Sequence, residues 1–195
     1  RRNRISDLSM LIVGVGGQGT LLASRILGTY ASLKELDCKL SEVHGMAQRG
    51  GSVVTHVRIG EKVLSPIVGL GGADIILSFE KLEAARYIPY LKKNGIVIVN
   101  TQEILPMPVI VGSAKYPDNI FEIISERTDK IIEIPALEVA EKAGSSKSVN
   151  VVMLGALTKA LSLDKDLMAE AVKSTVKEKF IEVNIRAYEG GYALG

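Results

Sequence analysis

Short runs of apolar, branched residues alternate along much of the chain with stretches whose apolar positions recur every three or four residues. The runs are typical of buried strands, and the recurring positions are typical of amphipathic helices. The first run, residues 10–14, stops at glycines and is followed by a helical pattern over residues 21–33. Because the predicted strands are apolar throughout, the alternation predicts a mostly parallel sheet covered by helices on both faces.

The same rule gives the remaining elements. Further strands are predicted at residues 39–43, 52–59, 73–78, 96–100, 130–134 and, more weakly, 109–112. Helices are predicted at residues 80–92, 117–127 and 135–143, and from about residue 148 onward at 149–161, 164–177 and 178–188. The strand at 52–59 turns at Gly60 into residues 62–64, which predicts a short antiparallel hairpin. The expected fold is therefore a single α/β, Rossmann-like domain over residues 1–195, with helices at its C-terminal end.

Composition narrows the class of protein. The chain has 195 residues, of which 47% are hydrophobic and 24% charged, and its formal net charge is +2. Acidic and basic residues interleave, so we expect no nucleic-acid partner. The apolar runs are too short to span a membrane and no signal peptide heads the chain, so we expect a cytoplasmic protein with no membrane partner. Its single cysteine, Cys38, cannot by itself hold an iron–sulfur cluster.

A glycine-rich segment follows the first strand and precedes the first helix. The sequence GVGGQG at residues 14–19 has the spacing of a dinucleotide-binding loop, in which free amides at the start of a helix meet an anion. The predicted contacts are Gly14, Gly16, Gly17, Gln18, Gly19 and Thr20. An NAD site also needs an acidic residue at the end of the second strand, about 20 residues further on. Glu42 is the nearest candidate for that position, and Asp37 falls before the predicted strand. We therefore expect a phosphate or carboxylate here in preference to NAD, and a tight turn without a ligand stays open.

A second unusual segment, HGMAQRGG at residues 44–51, lies between two predicted strands. Arg49 offers a planar donor pair for an anion, and His44 changes charge near neutral pH. Gly50 and Gly51 allow the backbone to approach a ligand closely. We take His44 and Arg49 as candidate catalytic residues, with a solvated surface loop as the alternative.

Other polar residues follow predicted strands. Glu80 and Asn100 come at carboxyl ends of strands, where ligands of open α/β sheets bind, so both are candidate binding residues. Glu80, Glu83 and Arg86 have helical spacing, so ion pairing across one turn is the competing interpretation. Asn150 is a candidate helix cap or crevice contact. We find no nucleophile–base series and no metal-ligand spacing, so no metal site is expected.

The segments GVGGQG at 14–19 and EVHGMAQRGGSVVTHVRIG at 42–60 resemble the gamma-type subunit family of 2-oxoacid:ferredoxin oxidoreductases. The sequence HGMAQRGG at residues 44–51 is more similar to the indolepyruvate type than to pyruvate-type members. Agreement continues through ADIILSFEKLEAARYIPYL, IVIVN and residues 150–156, so the resemblance covers most of the chain.

The resemblance implies that this chain carries no cofactor of its own. Thiamine diphosphate, magnesium and iron–sulfur clusters would lie on a large alpha subunit, and ferredoxin would receive the electrons. The implied reaction converts an arylpyruvate and coenzyme A to an arylacetyl-coenzyme A and carbon dioxide. On this basis we hypothesise that the glycine loop holds an anionic group, with coenzyme A phosphates as the candidate, and that His44 and Arg49 face the active site of the partner.

Three other functions stay open. The chain could be a gamma subunit for pyruvate or 2-oxoglutarate, or a free-standing nucleotide-binding protein. It could also be a scaffold subunit with a vacant glycine loop, for which Met46, Tyr87 and Tyr90 are candidate interface anchors.

Overall fold

The computed structural model describes residues 7–44 and 50–195, and for His44 it describes the backbone alone. The described residues form six strands and eight α-helices. In chain order they are β1 Leu8–Val15, α1 Thr20–Leu33, β2 Asp37–His44, β3 Ser52–Gly60, β4 Ala73–Ser78, α2 Lys81–Tyr87, β5 Leu91–Asn100, α3 Met107–Ile110, α4 Ile120–Ser125, β6 Ile131–Ile134, α5 Ala136–Ala143, α6 Val149–Ala160, α7 Lys165–Thr175 and α8 Ile181–Tyr192. Single 3₁₀ turns occur at Ile88–Tyr90, Ser146–Ser148 and Glu178–Phe180.

The six strands form one sheet in the order β2-β3-β1-β4-β5-β6. The pairs β1–β4, β4–β5 and β5–β6 are parallel, whereas β3 runs antiparallel to both of its neighbours. The predicted fold class is thus confirmed, with β2 and β3 as the antiparallel hairpin. Because β3 is reversed, its first residues lie where β1, β2, β4, β5 and β6 end, and we call this side of the sheet the carboxyl edge.

Alternating residues of the strands face two separate hydrophobic clusters, as a period of two requires. Met10 and Ile12 of β1 point into the larger cluster, which contains residues of α1 and α5 to α8. Leu11 and Val13 point into the smaller one, which contains residues of α2 and α4. The sheet is therefore buried on both faces, which explains why its central strands are apolar without alternation.

Three local predictions are wrong. Residues 62–64 form no strand, because β3 already has a partner on each side and the amide of Val63 donates to the Asp37 carboxylate at 3.0 Å. The predicted helix over residues 80–92 ends at Tyr87, since Pro89 enters a 3₁₀ turn and Leu91 begins β5. The weak strand at 109–112 is instead the short helix α3 and a turn at Gly112, whose φ is 78°.

Several boundaries move by a few residues while the element persists. The helix predicted from residue 117 begins at Ile120 as α4, and Asp37 is the first residue of β2 and does not precede it. Asp164 caps α7, since its carboxylate accepts a hydrogen bond from the Leu167 amide at 3.1 Å. Within the described ranges, no helix combines the length and the apolar character needed to cross a membrane.

Candidate functional site

The glycine loop joins β1 to α1 at the carboxyl edge. Gly17 and Gly19 have φ values of 97° and 80°, which side chains with a Cβ rarely adopt. A Cβ on Gly19 would also lie 2.5 Å from Nδ2 of Asn150, whereas one on Gly17 would meet nothing within 4 Å. Asn150 itself lies inside α6 and donates to the Gly19 carbonyl at 3.2 Å. The loop is therefore tight on its α6 side and open at Gly17.

The loop leaves a set of backbone donors free. The Gly16 amide donates to the Gly51 carbonyl at 2.9 Å, and the Gln18 amide donates to the Val15 carbonyl at 3.2 Å. Elsewhere in the loop and the first turn of α1, five amides donate to no other described residue: those of Gly17, Gly19, Thr20, Leu21 and Leu22. The 14-residue helix adds the positive end of its dipole at the same place. This arrangement favours an anion on physical grounds, and the anion site itself stays a prediction.

The backbone carbonyl of Phe79, just after β4, connects the ends of three strands. The side-chain amide of Gln18 donates to it at 2.7 Å, and that of Asn100 donates to it at 3.0 Å. The side-chain oxygen of Gln18 accepts a hydrogen bond from the backbone N–H of Val15 at 2.9 Å. Asn100 has no exposed surface, and its oxygen accepts from the Ala136 amide at 3.2 Å. Both predicted binding residues thus fix the shape of the edge through internal hydrogen bonds.

Glu80 is a buried carboxylate, only 1% exposed, whose oxygens are both used by the protein. One oxygen accepts from the Glu83 amide at 3.0 Å and caps α2. The other accepts from the Ile104 amide at 3.1 Å and from the Tyr116 hydroxyl at 2.6 Å. Burial, and secondly the bond to Glu80, raises the pKa of Tyr116 well above its usual range, so the hydroxyl remains a donor.

The first residue of β3 belongs to a second polar cluster. The Ser52 hydroxyl donates to the Glu83 carboxylate at 2.5 Å and lies 3.2 Å from the Tyr87 hydroxyl. Arg86 donates to the other oxygen of Glu83 at 3.1 Å, which is the ion pair predicted from the helical spacing. Since Ser52 directly follows Gly51, this cluster holds the backbone that contacts the glycine loop.

The structure brings the two glycine-rich segments together. Val53 of β3 is paired with Gly14 on one side and with the backbone of His44 on the other, so all three lie in one row across the sheet. Gly50, with a φ of 76°, has open space where a Cβ would be. Arg49 and Met46 lie outside the described residues. Tyr87 and Tyr90 are half-buried and pack on the smaller hydrophobic cluster.

Glu42, the acidic residue considered for an NAD ribose, lies on the outermost strand. The whole of β3 separates it from β1, and its carboxylate accepts from the Thr55 hydroxyl at 3.0 Å. In a dinucleotide fold the acidic residue ends the strand beside β1, so this topology does not fit the NAD pattern.

The chain's residues do not fit an iron–sulfur cluster, since Cys38 is its sole cysteine and burial raises the pKa of that thiol to about 11. Over the described ranges, no group of three or more His, Cys, Asp and Glu side chains is placed to bind a metal ion. The thiamine diphosphate pattern of Gly-Asp-Gly followed by paired asparagines is also absent from the sequence. The glycine loop, with its free amides, does fit a phosphate.

Sequence reasoning missed three parts of this edge. Ser52, Tyr116 and the carbonyl of Phe79 carry no local signal, since each acts through a partner distant in the chain. Tyr116, for example, is 36 residues from the carboxylate that it contacts.

The fold and the site define a class: an α/β protein with a glycine-rich loop of free amides at the carboxyl edge of its sheet and a reversed strand beside that loop. A family model described as pyruvate ferredoxin/flavodoxin oxidoreductase matches residues 9–194. The chain belongs to that family. Within it, the chain is a subunit of a 2-oxoacid:ferredoxin oxidoreductase, and the gamma-type resemblance is confirmed.

Two relatives match this chain along nearly their whole length, and a third matches it over about a third of its own length. The chain is 44% identical to indolepyruvate oxidoreductase subunit IorB of Archaeoglobus fulgidus, covering 95% of this chain and 94% of that subunit. It is 42% identical to the IorB subunit of Thermococcus kodakarensis, covering 96% of this chain and 95% of that subunit. It is 28% identical to ketoisovalerate oxidoreductase subunit VorA of Methanothermobacter thermautotrophicus, where 95% of this chain matches only 36% of the relative.

Solved structures share the fold. The gamma subunit of a keto/oxoacid ferredoxin oxidoreductase from Geobacter sulfurreducens superposes with a TM-score of 0.71 at 24% identity, over 95% of this chain and 96% of that one. A 2-oxoglutarate:ferredoxin oxidoreductase from Magnetococcus marinus superposes with a TM-score of 0.73 at 19% identity. The match covers 97% of this chain but only 31% of that chain.

Proposed function

We propose that this chain is the small subunit of an indolepyruvate-type 2-oxoacid:ferredoxin oxidoreductase and that its glycine loop holds a phosphate group of coenzyme A. The observation that carries the second part is the group of five free amides at the start of α1, open to solvent at Gly17. The first part is supported by the two IorB relatives, which match nearly from end to end. The reaction oxidatively decarboxylates an arylpyruvate, with coenzyme A as the acyl acceptor and ferredoxin as the electron acceptor.

In this proposal the residues of the carboxyl edge have two roles. The amides of Gly17, Gly19, Thr20, Leu21 and Leu22 contact the anion, because they have no protein partner in the described structure. Gln18, Glu80 and Asn100 support the loop from beneath, because their polar atoms are already used. His44 and Arg49, whose side chains lie outside the described structure, would act at the active site of the partner.

The chemistry of decarboxylation and electron transfer belongs, in this proposal, to a large alpha subunit with thiamine diphosphate, magnesium and iron–sulfur clusters. This chain would bind and orient coenzyme A and exclude water from its phosphates. The division fits a chain with one cysteine and no thiamine motif.

A charge placed beside the free amides tests the ligand assignment. Leu21 is 53% exposed, and its own amide is one of the free donors. In the reconstituted complex, we expect Leu21→Glu to raise the KM for coenzyme A about fivefold, because the new carboxylate repels the phosphate across a few ångströms. The turnover number should stay near that of the wild type.

The matched control is Leu21→Gln. It changes the shape and polarity of the side chain about as much as Leu21→Glu does, but it adds no charge. Its KM for coenzyme A should remain close to the wild-type value, and the difference between the two variants should shrink as salt is added. Equal KM values for the two variants would exclude the loop as the phosphate site.

The substrate is tested in the same complex by comparing kcat/KM for indolepyruvate, pyruvate and 2-oxoglutarate. We expect indolepyruvate to be preferred. Preference for either of the others would assign the chain to the pyruvate or 2-oxoglutarate type.

A further inference from the structure

Residues 104–114, which we call the apolar arm, extend from the carboxyl edge between β5 and α4. The segment contains eleven residues without a charge, ILPMPVIVGSA. Its large side chains point into solvent: Leu105 is 46% exposed, Met107 66%, Ile110 62% and Val111 66%. The short helix α3 at its centre has no buried residue. Several exposed apolar side chains in one short segment are typical of a surface that binds a partner.

Hydrogen bonds within the arm fix the conformation of its backbone. The Pro108 carbonyl accepts from the amides of Ser113 and Ala114 at 2.9 and 3.0 Å, and from the Ser113 hydroxyl at 3.0 Å. The Val111 amide donates to the Met107 carbonyl at 3.0 Å. Because the backbone is already fixed, a partner would bind this surface without the entropic cost of ordering a loop.

The buried carboxylate of Glu80 clamps both ends of the arm. The Ile104 amide, at the first residue of the arm, and the Tyr116 hydroxyl, two residues beyond its last, donate to the same oxygen. Glu80 directly follows Phe79, whose carbonyl accepts from Gln18 of the glycine loop. The clamp therefore places the arm on the same edge as the proposed coenzyme A site.

The relatives indicate what would cover such a surface. In the ketoisovalerate subunit VorA, the part that matches 95% of this chain is 36% of the polypeptide, so the same unit is joined there to a larger remainder. That relative therefore carries this unit beside a larger protein body, which is the kind of partner that would cover the arm. A protein that completes the site at the carboxyl edge would approach the sheet at the edge where the arm lies.

We propose that the apolar arm is the docking surface for the large, thiamine-bearing subunit of the oxidoreductase, which would cover Leu105, Met107, Ile110 and Val111. The proposal rests on the proposed function, since it takes the partner from it. The amino edge of the sheet supplies an internal comparison. There the connection from β3 to β4 exposes Leu64, at 85%, and Leu70, at 73%, away from the glycine loop.

Affinity for the purified large subunit, measured without coenzyme A by sedimentation or surface binding, tests the proposal. We expect Met107→Glu and Ile110→Glu each to weaken the complex by at least about tenfold, as loss of a central apolar anchor does. Leu64→Glu changes an even more exposed apolar position on the amino edge, and this variant should bind within about twofold of the wild type. Unchanged affinity of both arm variants would overturn the proposal.

A crosslinking experiment covers the case in which an arm variant fails to fold. In a Cys38→Ala background, Met107→Cys and Leu64→Cys are each labelled with a benzophenone maleimide and irradiated in the complex. Position 107 should give a covalent product with the large subunit, and position 64 should not. A product at 64 alone would overturn the proposal.

Two further outcomes distinguish failure of the docking proposal from failure of the proposed function. If the wild-type chain alone forms a dimer that Ile110→Glu dissociates, the arm binds a second copy and the docking proposal is wrong. If the wild type binds no large subunit at all, the proposed function fails and the docking proposal with it. Normal assembly that depends on the arm supports docking, even if Leu21→Glu leaves the KM for coenzyme A unchanged.

Discussion

Side chains at the carboxyl edge form hydrogen bonds mainly with backbone groups. Gln18 joins the Val15 amide to the Phe79 carbonyl, and Asn100 joins that carbonyl to the Ala136 amide. Such bonds are strong in a buried site because breaking one leaves a polar group without a partner. The glycine loop therefore has a fixed shape before any ligand arrives, which lowers the cost of binding an anion.

At the same scale, the environment of Cys38 predicts its reactivity. Burial raises the pKa of this thiol from 9.0 to about 11, with the nearby Asp37 charge adding to the effect. The thiolate is the reactive form, so alkylation by iodoacetamide at pH 8 should be about a hundredfold slower than for an unperturbed thiol. The unfolded chain in urea is the reference, and equal rates in the two states would contradict the assignment.

Among the elements, β3 has the greatest effect on the site. Its reversal inserts a strand between β1 and β2, brings Gly51 to the amide of Gly16, and leaves a long connection to β4 at the other edge. That connection is fixed by His56 of β3, whose Nδ1 accepts from the Val68 amide at 3.1 Å. The neutral ring therefore carries its proton on Nε2.

This hydrogen bond predicts a pH dependence. Burial lowers the pKa of His56, so the unfolded chain binds a proton more readily than the folded one. Its contribution to stability is present above the unfolded value of about 6.5 and is lost as the pH falls through the lower pKa of the folded state. We expect the free energy of unfolding in urea to fall between pH 7 and pH 5.

The variant His56→Gln keeps a side-chain acceptor but cannot titrate. It should lower stability at pH 7, because the amide is a poorer fit, and its further loss toward pH 5 should be smaller than that of the wild type. An identical pH profile for both proteins would assign the dependence to other groups.

Over the whole molecule, α6 is the helix that joins the sheet to the C-terminal helices. Most of its residues are buried, and a Cβ on Gly155 would collide with the backbone of α8 at Tyr188. A Cβ on Gly191 of α8 would in turn collide with the Val152 carbonyl. The two helices thus touch backbone to backbone, and the first of them also supplies Asn150 to the glycine loop.

We expect Gly155→Ala to lower the free energy of unfolding by about 3 kcal/mol or more, because a rigid backbone cannot move aside for the methyl group. Gly28→Ala in α1 is the control, since its Cβ would lie 3.7 Å from the nearest atom, a methyl carbon of Leu40. It should stabilise the chain by about 0.5–1 kcal/mol through its better helix propensity. Urea unfolding measures both, and equal effects would refute the backbone contact.

Some features of this protein follow from the sequence alone. Apolar or alternating segments indicated the position of every strand in the observed sheet, although the same patterns also predicted strands at 62–64 and 109–112 that do not form. The glycine spacing gave the loop, since positive φ angles at Gly17 and Gly19 select that residue locally. The HGMAQRGG segment indicated the family.

Only the tertiary structure decided how these parts meet. Strand order, the separation of Glu42 from β1, and the partners of Glu80 and Asn100 depend on contacts between residues distant in the chain. The bond from Asn150 to Gly19 spans 131 positions, and that from Tyr116 to Glu80 spans 36. Local patterns cannot encode such pairs, because the packing of all the elements together fixes which polar groups are buried side by side.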